Sequence, residues 1–174
     1  MKIRNRVAGM VGALLLAGTA TVALATQASA ASDYHEIKNA AYQQCVNAPN
    51  GVLNVRLQLA PCNASSGTQL WALVPTGAPA TYYIVNATSG FCMEVNNGTS
   101  TPGETVDEYF CDGLASEQWV EDLISIRGVP YVHFRHAGTN ECLDTVSGAG
   151  SQLMQWDCDS VVASSNTAQA WTVI

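Results

Sequence analysis

The sequence predicts an all-β fold built from three similar copies. Six cysteines fall into three pairs of similar spacing, and a tryptophan follows each pair. The first cysteines of the pairs lie 47 and 50 residues apart, and the tryptophans lie 48 and 52 residues apart. Short aromatic and β-branched runs alternate with turn residues, and no long helical pattern follows residue 31. Such a period indicates a repeat architecture, and short strands with frequent turns are typical of barrels or sandwiches.

The first thirty residues have the pattern of a bacterial secretory signal peptide. Lys2, Arg4 and Arg6 precede an apolar stretch, and small residues at 28–30 provide a cleavage site. The stretch is short and rich in glycine and alanine for a membrane span of about 20 residues, so a membrane anchor is the less favoured interpretation. We expect a secreted protein with no membrane insertion and a single mature domain over residues 31–174.

The charge balance argues against a nucleic-acid partner. The chain has 7 Lys and Arg residues against 14 Asp and Glu residues, a net charge of −7. The expected signal peptide contains cations and no acids, so its removal makes the charge more negative. Nucleic-acid surfaces need clustered cations facing phosphates, and this composition does not supply them.

The cysteines predict disulfides rather than a metal site or a thiol nucleophile. An even number of cysteines in an exported chain is typical of a disulfide framework. The repeat favours one bond inside each copy, closing a loop of about 20 residues or fewer and stabilising the fold by about 3 kcal/mol in the chain-entropy model. The predicted bonds join Cys45 to Cys62, Cys92 to Cys111 and Cys142 to Cys158.

The copies cover residues of about 34–75, 80–124 and 129–174. Strand signals stand out at 82–85 and 131–135, where aromatic and β-branched residues are bounded by turn residues. We expect the recurring tryptophans to fill the core, because each copy needs one bulky apolar side chain there. They are Trp71, Trp119 and Trp171.

Several motifs resemble those of the ricin-type β-trefoil lectin family. They are Cys142-Leu143-Asp144, Trp156-Asp157-Cys158, Gln69-Leu70-Trp71 and Gln169-Ala170-Trp171, with the variant Glu117-Gln118-Trp119 in the second copy. The resemblance covers residues of about 34–174. It implies a β-trefoil, a threefold barrel of about twelve strands, with up to three shallow sugar sites, one in each copy. Such sites usually recognise galactose, xylose or related sugars.

The resemblance makes the third copy the best candidate site. Asp144 takes the position of the carboxylate that accepts hydrogen bonds from sugar hydroxyls, and Trp156 that of the ring that stacks on the sugar C–H face. Gln169 takes the position that braces the carboxylate. Ala168 replaces the usual amide just before it, and Asn166 could substitute if the loop bends back.

The second copy is predicted to be a weaker site. Glu94 and Tyr109 take the carboxylate and ring positions, but Glu117 stands where the bracing Gln is expected. Two facing carboxylates would raise one pKa or demand a cation. The resulting hypothesis is a second site that is pH-dependent or metal-assisted. The first copy has Asn47 and Ala60 in place of the acid and the ring, so we expect it only to complete the barrel.

These features predict a secreted, non-enzymatic, carbohydrate-binding protein that needs no metal or other cofactor. No catalytic motif is evident, and we interpret the acidic pair Glu121-Asp122 as solvated turn charge rather than a glycosidase pair. The protein would act as a free lectin or as a targeting subunit for a separately encoded enzyme or toxin. The alternatives are a β-trefoil protease inhibitor or interaction protein that uses its loops, and an enzyme with an unrecognised site.

Overall fold

Short strands and tight turns make up the described part of the protein, as the sequence pattern predicts. A computed structural model describes residues 33–159 and 167–174; the expected signal peptide, its cleavage site and Asn166 lie outside the described residues. The strands are β1 (His35–Asn39), β2 (Cys45–Asn47), β3 (Gln58–Ala60), β4 (Leu70–Pro75), β5 (Thr81–Asn86), β6 (Cys92–Val95), β7 (Val106–Tyr109), β8 (Gln118–Ile126), β9 (Val129–His136), β10 (Cys142–Thr145), β11 (Leu153–Trp156) and β12 (Trp171–Val173). Single 3₁₀ turns lie at Pro49–Gly51, Gly67–Gln69, Asn96–Gly98 and Ala115–Glu117.

Six of the strands pair in a closed antiparallel ring. The pairing runs β1–β4–β5–β8–β9–β12, and β12 pairs with β1. Each copy contributes its first and fourth strands, and the joints between copies pair the fourth strand with the first strand of the next copy. Closure removes the unpaired sheet edges that an open sheet would expose. Together with the hairpins below, this confirms the predicted threefold all-β barrel.

The other six strands form three hairpins, one in each copy, that extend from the barrel. They are β2–β3, β6–β7 and β10–β11, and each joins the ring through the first strand of its copy. The same register recurs in all three, with the first cysteine of the copy opposite the predicted ring position. Cys45 faces Ala60, Cys92 faces Tyr109, and Cys142 faces Trp156.

The recurring tryptophans are fully buried, which confirms the core prediction. Each indole N–H donates to a backbone carbonyl of the hairpin in its own copy, so the polar atom of the ring is satisfied inside the core. The pairs are Trp71 to Val46 (3.1 Å), Trp119 to Met93 (2.9 Å) and Trp171 to Leu143 (3.1 Å).

Each copy contains one disulfide, and the pairing is the predicted one. The bonds are Cys45–Cys62, Cys92–Cys111 and Cys142–Cys158. Each ties the start of a hairpin to the segment just after its second strand. Among residues 33–159 and 167–174, no helix has the length and apolar character needed to cross a membrane.

The interpretation of Glu121 and Asp122 as turn charges is wrong. Both lie inside β8, which continues to Ile126 before the turn into β9. Asp122 faces His133 across the pair of strands and forms a 2.6 Å salt bridge with Arg135. The β8–β9 hairpin is longer than the sequence pattern indicated, because β8 continues past both acids. The charge of Asp122 is neutralised by Arg135 on the neighbouring strand β9.

Candidate functional site

The β10–β11 hairpin presents Asp144 and Trp156 on one face. Asp144 lies opposite Met154, and Trp156 lies two residues further along the same strand, so the three side chains share a side of the hairpin. Leu143 and Leu153 alternate with them and are fully buried. Asp144 is half-buried and Trp156 is 46% exposed. The predicted acid and ring are therefore neighbours, with the ring available to a ligand.

Gln169 holds Asp144 in place. Its side-chain amide donates to Oδ2 of Asp144 at 2.9 Å and to the backbone carbonyl of Asp157 at 2.9 Å. Its Oε1 accepts the backbone N–H of Asp159 at 2.8 Å. The backbone N–H of Thr145 donates to the other carboxylate oxygen, Oδ1. The carboxylate is thus fixed in orientation before any ligand binds.

Asp144 and Trp156 line a pocket of about 360 Å³, which we call the third pocket. Its lining includes Tyr42, Asp144, Met154, Trp156, Asp159 and Ala168. A braced carboxylate can accept charge-assisted hydrogen bonds from hydroxyl groups, and an exposed indole can cover an apolar face of the same ligand. Tyr42 comes from the first copy and was not predicted from the sequence.

The electrostatics of the third pocket are acidic. Burial raises the pKa of the Asp144 carboxyl above its ordinary value, and the nearby Asp159 adds to the rise. The hydrogen bonds from Gln169 and Thr145 act in the opposite direction, because they favour the charged form. His133 lies close enough to oppose the rise as well, although burial lowers its own pKa.

The second copy has a comparable pocket of about 380 Å³, which we call the second pocket. Its lining includes Asn54, Glu94, Asn96, Asp107, Tyr109 and Ser116. The structure therefore brings the predicted pair Glu94 and Tyr109 together. Asp107 faces Glu94 directly across the hairpin, which places a second carboxylate in the pocket.

Glu117 closes the loop of the second copy but does not brace Glu94. Its carboxylate accepts the backbone N–H groups of Asp112 and Gly113, each at 3.0 Å. A carboxylate has no amide to donate, and Glu94 instead forms a hydrogen bond with Ser116. Burial is the largest cause that raises the pKa of Glu94, and the charges of Glu117, Asp112 and Asp107 add to it. Burial also raises the pKa of Glu117.

The first copy keeps the Gln of the Gln-x-Trp motif, Gln69, but has no acid and ring to form a sugar site. Gln69 accepts the backbone N–H of Asn63 at 2.8 Å and donates to the carbonyl of Pro61 at 3.1 Å. Asn47, in the acid position, accepts a hydrogen bond from the Thr68 hydroxyl at 2.9 Å. Ala60 offers no ring. The Gln of this copy therefore has a structural role in closing its loop.

Three potential metal ligands come together away from the two pockets in the described residues. Oxygen or sulfur atoms of Glu36, Cys45 and Cys62 lie within 4.8 Å of one another. Both cysteines are joined in a disulfide, so neither is a thiolate that could bind zinc. The oxygen-rich second pocket, with Glu94, Asp107 and Asn96, offers the ligand type that calcium prefers.

The sequence did not indicate the two pocket-lining residues that come from a neighbouring copy. Tyr42 in the third pocket and Asn54 in the second both belong to the first copy. Asp107 and Ser116 could have been found, because they occupy fixed offsets from Tyr109 and Glu117. His133 and His136 are also buried, at 7% and 1% exposure, and pack inside the fold.

Comparison with protein families agrees with this architecture. The family described as "Ricin-type beta-trefoil lectin domain" matches residues 80–174, and a second, "Ricin-type beta-trefoil lectin domain-like", matches residues 21–109. The chain belongs to the ricin-type β-trefoil lectin family. No curated protein matches the sequence of this lectin domain.

Solved structures share the β-trefoil fold of the lectin domain. The designed threefold symmetric protein ThreeFoil matches with a TM-score of 0.70 at 19% identity, over 81% of this chain and 97% of its own. The Polyporus squamosus lectin, bound to a human-type influenza-binding epitope, matches with a TM-score of 0.69 at 18% identity, over 82% and 48%. An exo-β-1,3-galactanase from Clostridium thermocellum matches with a TM-score of 0.69 at 18% identity, over 81% and 30%. The lectin domain thus spans less than half of these last two chains.

Proposed function

We propose that the protein is a secreted, non-catalytic lectin that recognises galactose- or xylose-type sugars, alone or within polysaccharides, through the third pocket. The observation that carries the proposal is the 2.9 Å hydrogen bond from Gln169 to Asp144 beside the exposed ring of Trp156. Membership of a lectin family supports carbohydrate as the ligand class. The second pocket is a weaker, pH-sensitive or calcium-assisted site, and the first copy has none of its own.

The chemistry of the third pocket suits a sugar. The Asp144 carboxylate can accept hydrogen bonds from neighbouring hydroxyls, and Trp156 can stack on the apolar face of the ring. Water competes for the same hydroxyls, so a single shallow site binds weakly. Retention on a polysaccharide then comes from more than one site acting on the same chain.

The protein would work as a free lectin or carry a separately encoded enzyme or toxin to a carbohydrate surface. In the galactanase, the matching fold occupies 30% of the chain, so most of that chain lies outside it. The non-catalytic part of the proposal has its own check. Purified protein incubated with galactan and xylan should release no new reducing ends; their appearance would establish an enzyme.

A glycan array tests the proposal. Wild-type protein should bind galactose- or xylose-containing glycans, and Trp156→Ala should lower binding about tenfold because the stacking surface is lost. Asp144→Asn should lower it similarly by removing the charge from the acceptor. Leu123→Ala, at an 81% exposed position on the β8–β9 hairpin, is the control and should bind like wild type. Equal binding by wild type and Trp156→Ala would refute the third pocket as the site.

One observation favours a second candidate, a protein-interaction or protease-inhibitor role. The β8–β9 hairpin exposes Leu123 at 81% and Val129 at 47%, near a cleft of about 240 Å³ that includes Tyr131 and Val173. Exposed apolar patches can mark protein contacts. Inhibition of a protease, with no binding on the glycan array and loss of inhibition in Leu123→Ala, would decide for this function.

A further inference from the structure

The first copy has lost its own acid and ring, yet its side chains lie in both of the other pockets. A closed threefold ring gives every copy two neighbours, so the first copy borders the second on one side and the third on the other. Tyr42 lines the third pocket and Asn54 lines the second. Neither position follows from the pattern that identifies the acid, the ring and the brace within one copy.

Tyr42 is held at the wall of the third pocket by the third copy itself. Its hydroxyl donates to the backbone carbonyl of Val146 at 3.1 Å, in the turn of the β10–β11 hairpin. Its ring lies beside Gly148, where a Cβ would come within 3.7 Å of Cδ1. Tyr42 and Trp156 are thus two aromatic side chains, from two copies, in the pocket that contains Asp144.

The positions equivalent to Tyr42 in the other two copies form hydrogen bonds within their own copy. Three residues before the first cysteine, the second copy has Ser89 and the third has Thr139. The Ser89 hydroxyl donates to Glu108 at 2.7 Å, and the Thr139 hydroxyl donates to Gln155 at 3.0 Å. Both are short side chains tied to the hairpin of their own copy. Tyr42 is the aromatic exception, and its contact crosses to another copy.

Asn54 is also an exception among equivalent positions. Its backbone is left-handed, with φ of 60°, and its N–H donates to the carbonyl of Glu108 at 2.8 Å. Gly103 and Gly150 make the same kind of contact, with left-handed φ values of 87° and 78°, to Gln155 and Leu59 at 2.8 Å. Glycine is the default in this conformation, and asparagine is one of the few other residues that adopt it. The first copy therefore puts an amide where the others have no side chain.

We propose that the first copy supplies ligand-binding residues to its two neighbours: Tyr42 is a second aromatic wall of the third pocket, and Asn54 is a hydrogen-bonding residue of the second. This inference rests on the proposed function. It assigns the third pocket to an oligosaccharide of two or more units. The sugar held by Asp144 stacks on Trp156, and the adjoining unit of the chain contacts Tyr42. In the second pocket, the Asn54 amide can donate to or accept from a hydroxyl of the sugar beside Glu94.

The third pocket is tested in a Glu94→Ala background, which disables the second pocket. The best oligosaccharide from the array and its terminal monosaccharide are titrated by calorimetry. Tyr42→Leu keeps an apolar side chain but lacks the ring, and it should weaken oligosaccharide binding about three- to tenfold while monosaccharide binding changes less than twofold. Tyr42→Phe keeps the ring and should retain oligosaccharide affinity. Tyr34→Leu, which replaces a 45% exposed tyrosine outside the pocket lining, is the control and should leave both affinities unchanged.

The second pocket is tested in a Trp156→Ala background, which disables the third. Asn54→Gly removes the amide but keeps the left-handed backbone unstrained, and it should weaken glycan binding about two- to tenfold. Asn50→Gly is a matched control, because Asn50 is also exposed and left-handed, with φ of 65°, but does not line the pocket. Its affinity should equal that of the background.

The outcomes distinguish a failure of this inference from a failure of the proposed lectin function. A wild-type protein that binds no glycan overturns the proposed function. A wild type that binds, with Tyr42→Leu and Asn54→Gly unchanged, overturns the inference alone. Equal losses in Tyr42→Leu and Tyr42→Phe would show that the hydroxyl contact to Val146 matters rather than the ring, and would also overturn the aromatic wall.

Discussion

At the level of single residues, the side chain just before Gln69, Glu117 or Gln169 decides which group forms a hydrogen bond with the acid position of its copy. The first copy has Thr68 there, the second has Ser116, and each hydroxyl forms a hydrogen bond with the side chain in the acid position of its copy. The third copy has Ala168, which offers no hydroxyl. Asp144 takes its bond from Gln169 instead. The alanine that looked like a defect in the sequence therefore leaves the amide of Gln169 as the partner of the carboxylate.

Gly103 sets the position of the Trp156 ring, and its substitution gives a residue-scale prediction. A Cβ on Gly103 would lie 3.0 Å from Cζ3 of Trp156, closer than the roughly 3.5–4.0 Å of an ordinary carbon contact. Gly103→Ala should therefore displace the ring and weaken glycan binding about three- to tenfold. The measurement is calorimetric titration with the glycan identified on the array.

Backbone strain in this variant needs its own control. Gly103 has φ of 87°, where alanine costs about 1 kcal/mol or more whatever its surroundings. Gly77 has φ of 96° and no atom within 4 Å of a Cβ placed on it. Gly77→Ala should lose similar stability and keep full binding. If the two variants bind equally well, Gly103 does not position the ring.

At the level of elements, the hairpins kept their register while their turns changed length. Fifteen residues separate Glu94 from Tyr109, and twelve separate Asp144 from Trp156. In both hairpins the acid still lies opposite the residue two before the ring. The difference falls in the turn, because a slip of one residue along either strand would turn its buried leucines or valines outward. This is why the cysteine spacing sufficed to place acid and ring from the sequence.

The residues that the sequence did not indicate lie where one element meets another from a different copy. Tyr42 and Asn54 contact pockets of neighbouring copies, and alignment of the repeats compares equivalent positions without showing which copies touch. The pair Glu121 and Asp122 was misplaced for a related reason. Their charge resembled a turn, but the salt bridge between Asp122 and Arg135 lets the strand continue. Neutralisation by a distant residue cannot be read from local composition.

The loop between β7 and β8 gives an element-scale prediction about pH. Burial raises the pKa of Glu94, and the charge of Glu117 adds to the rise, while the hydrogen bond with Ser116 acts in the opposite direction. Acidification through that pKa protonates Glu94 and removes its charge-assisted hydrogen bonds to a sugar. Glu117→Gln removes one neighbouring charge, so the pKa of Glu94 should fall. In a Trp156→Ala background, glycan binding by the second pocket should then persist to a lower pH.

The measurement is glycan affinity between pH 4.5 and 7.5, each with and without calcium. Glu121→Gln makes the same charge change on β8, outside the second pocket, and should leave the pH profile unchanged. A profile that Glu117→Gln does not shift would show that this charge is unimportant. Binding that appears only with calcium, at every pH, would favour metal assistance over protonation of Glu94.

At the level of the whole molecule, the three hairpins meet through equivalent buried positions that carry different side chains. These are Leu59, Glu108 and Gln155, all fully buried. Gln155 is satisfied, since its amide donates to the carbonyl of Thr99 at 2.7 Å and its carbonyl accepts from Thr139. Threefold closure and the tryptophan core were predictable from the period. The charged group of Glu108 at this junction was not predictable, because the sequence does not show that its position on β7 faces inward.

Glu108 is a stability defect at this junction, and removing its charge should strengthen the fold. Oε1 accepts from Ser89, but Oε2 is buried with no hydrogen-bond partner among the described residues. Burial raises its pKa above the ordinary value of 4.5, so the folded state holds a proton more tightly than the unfolded state. Stability from this group is therefore greatest at acidic pH and falls as the pH rises through the folded pKa.

Glu108→Gln should raise the free energy of unfolding at pH 7 by about 1–3 kcal/mol, the usual cost of an unsatisfied buried group. The gain should shrink at pH 5, where wild-type Glu108 is closer to its neutral form. Urea unfolding with the disulfides intact, at both pH values, measures it. Glu104→Gln is the control, because that carboxylate already accepts bonds from Asn96, Thr99 and the backbone of Thr105 and should gain nothing. A Glu108→Gln protein less stable than wild type at pH 7 would mean that the charge is compensated.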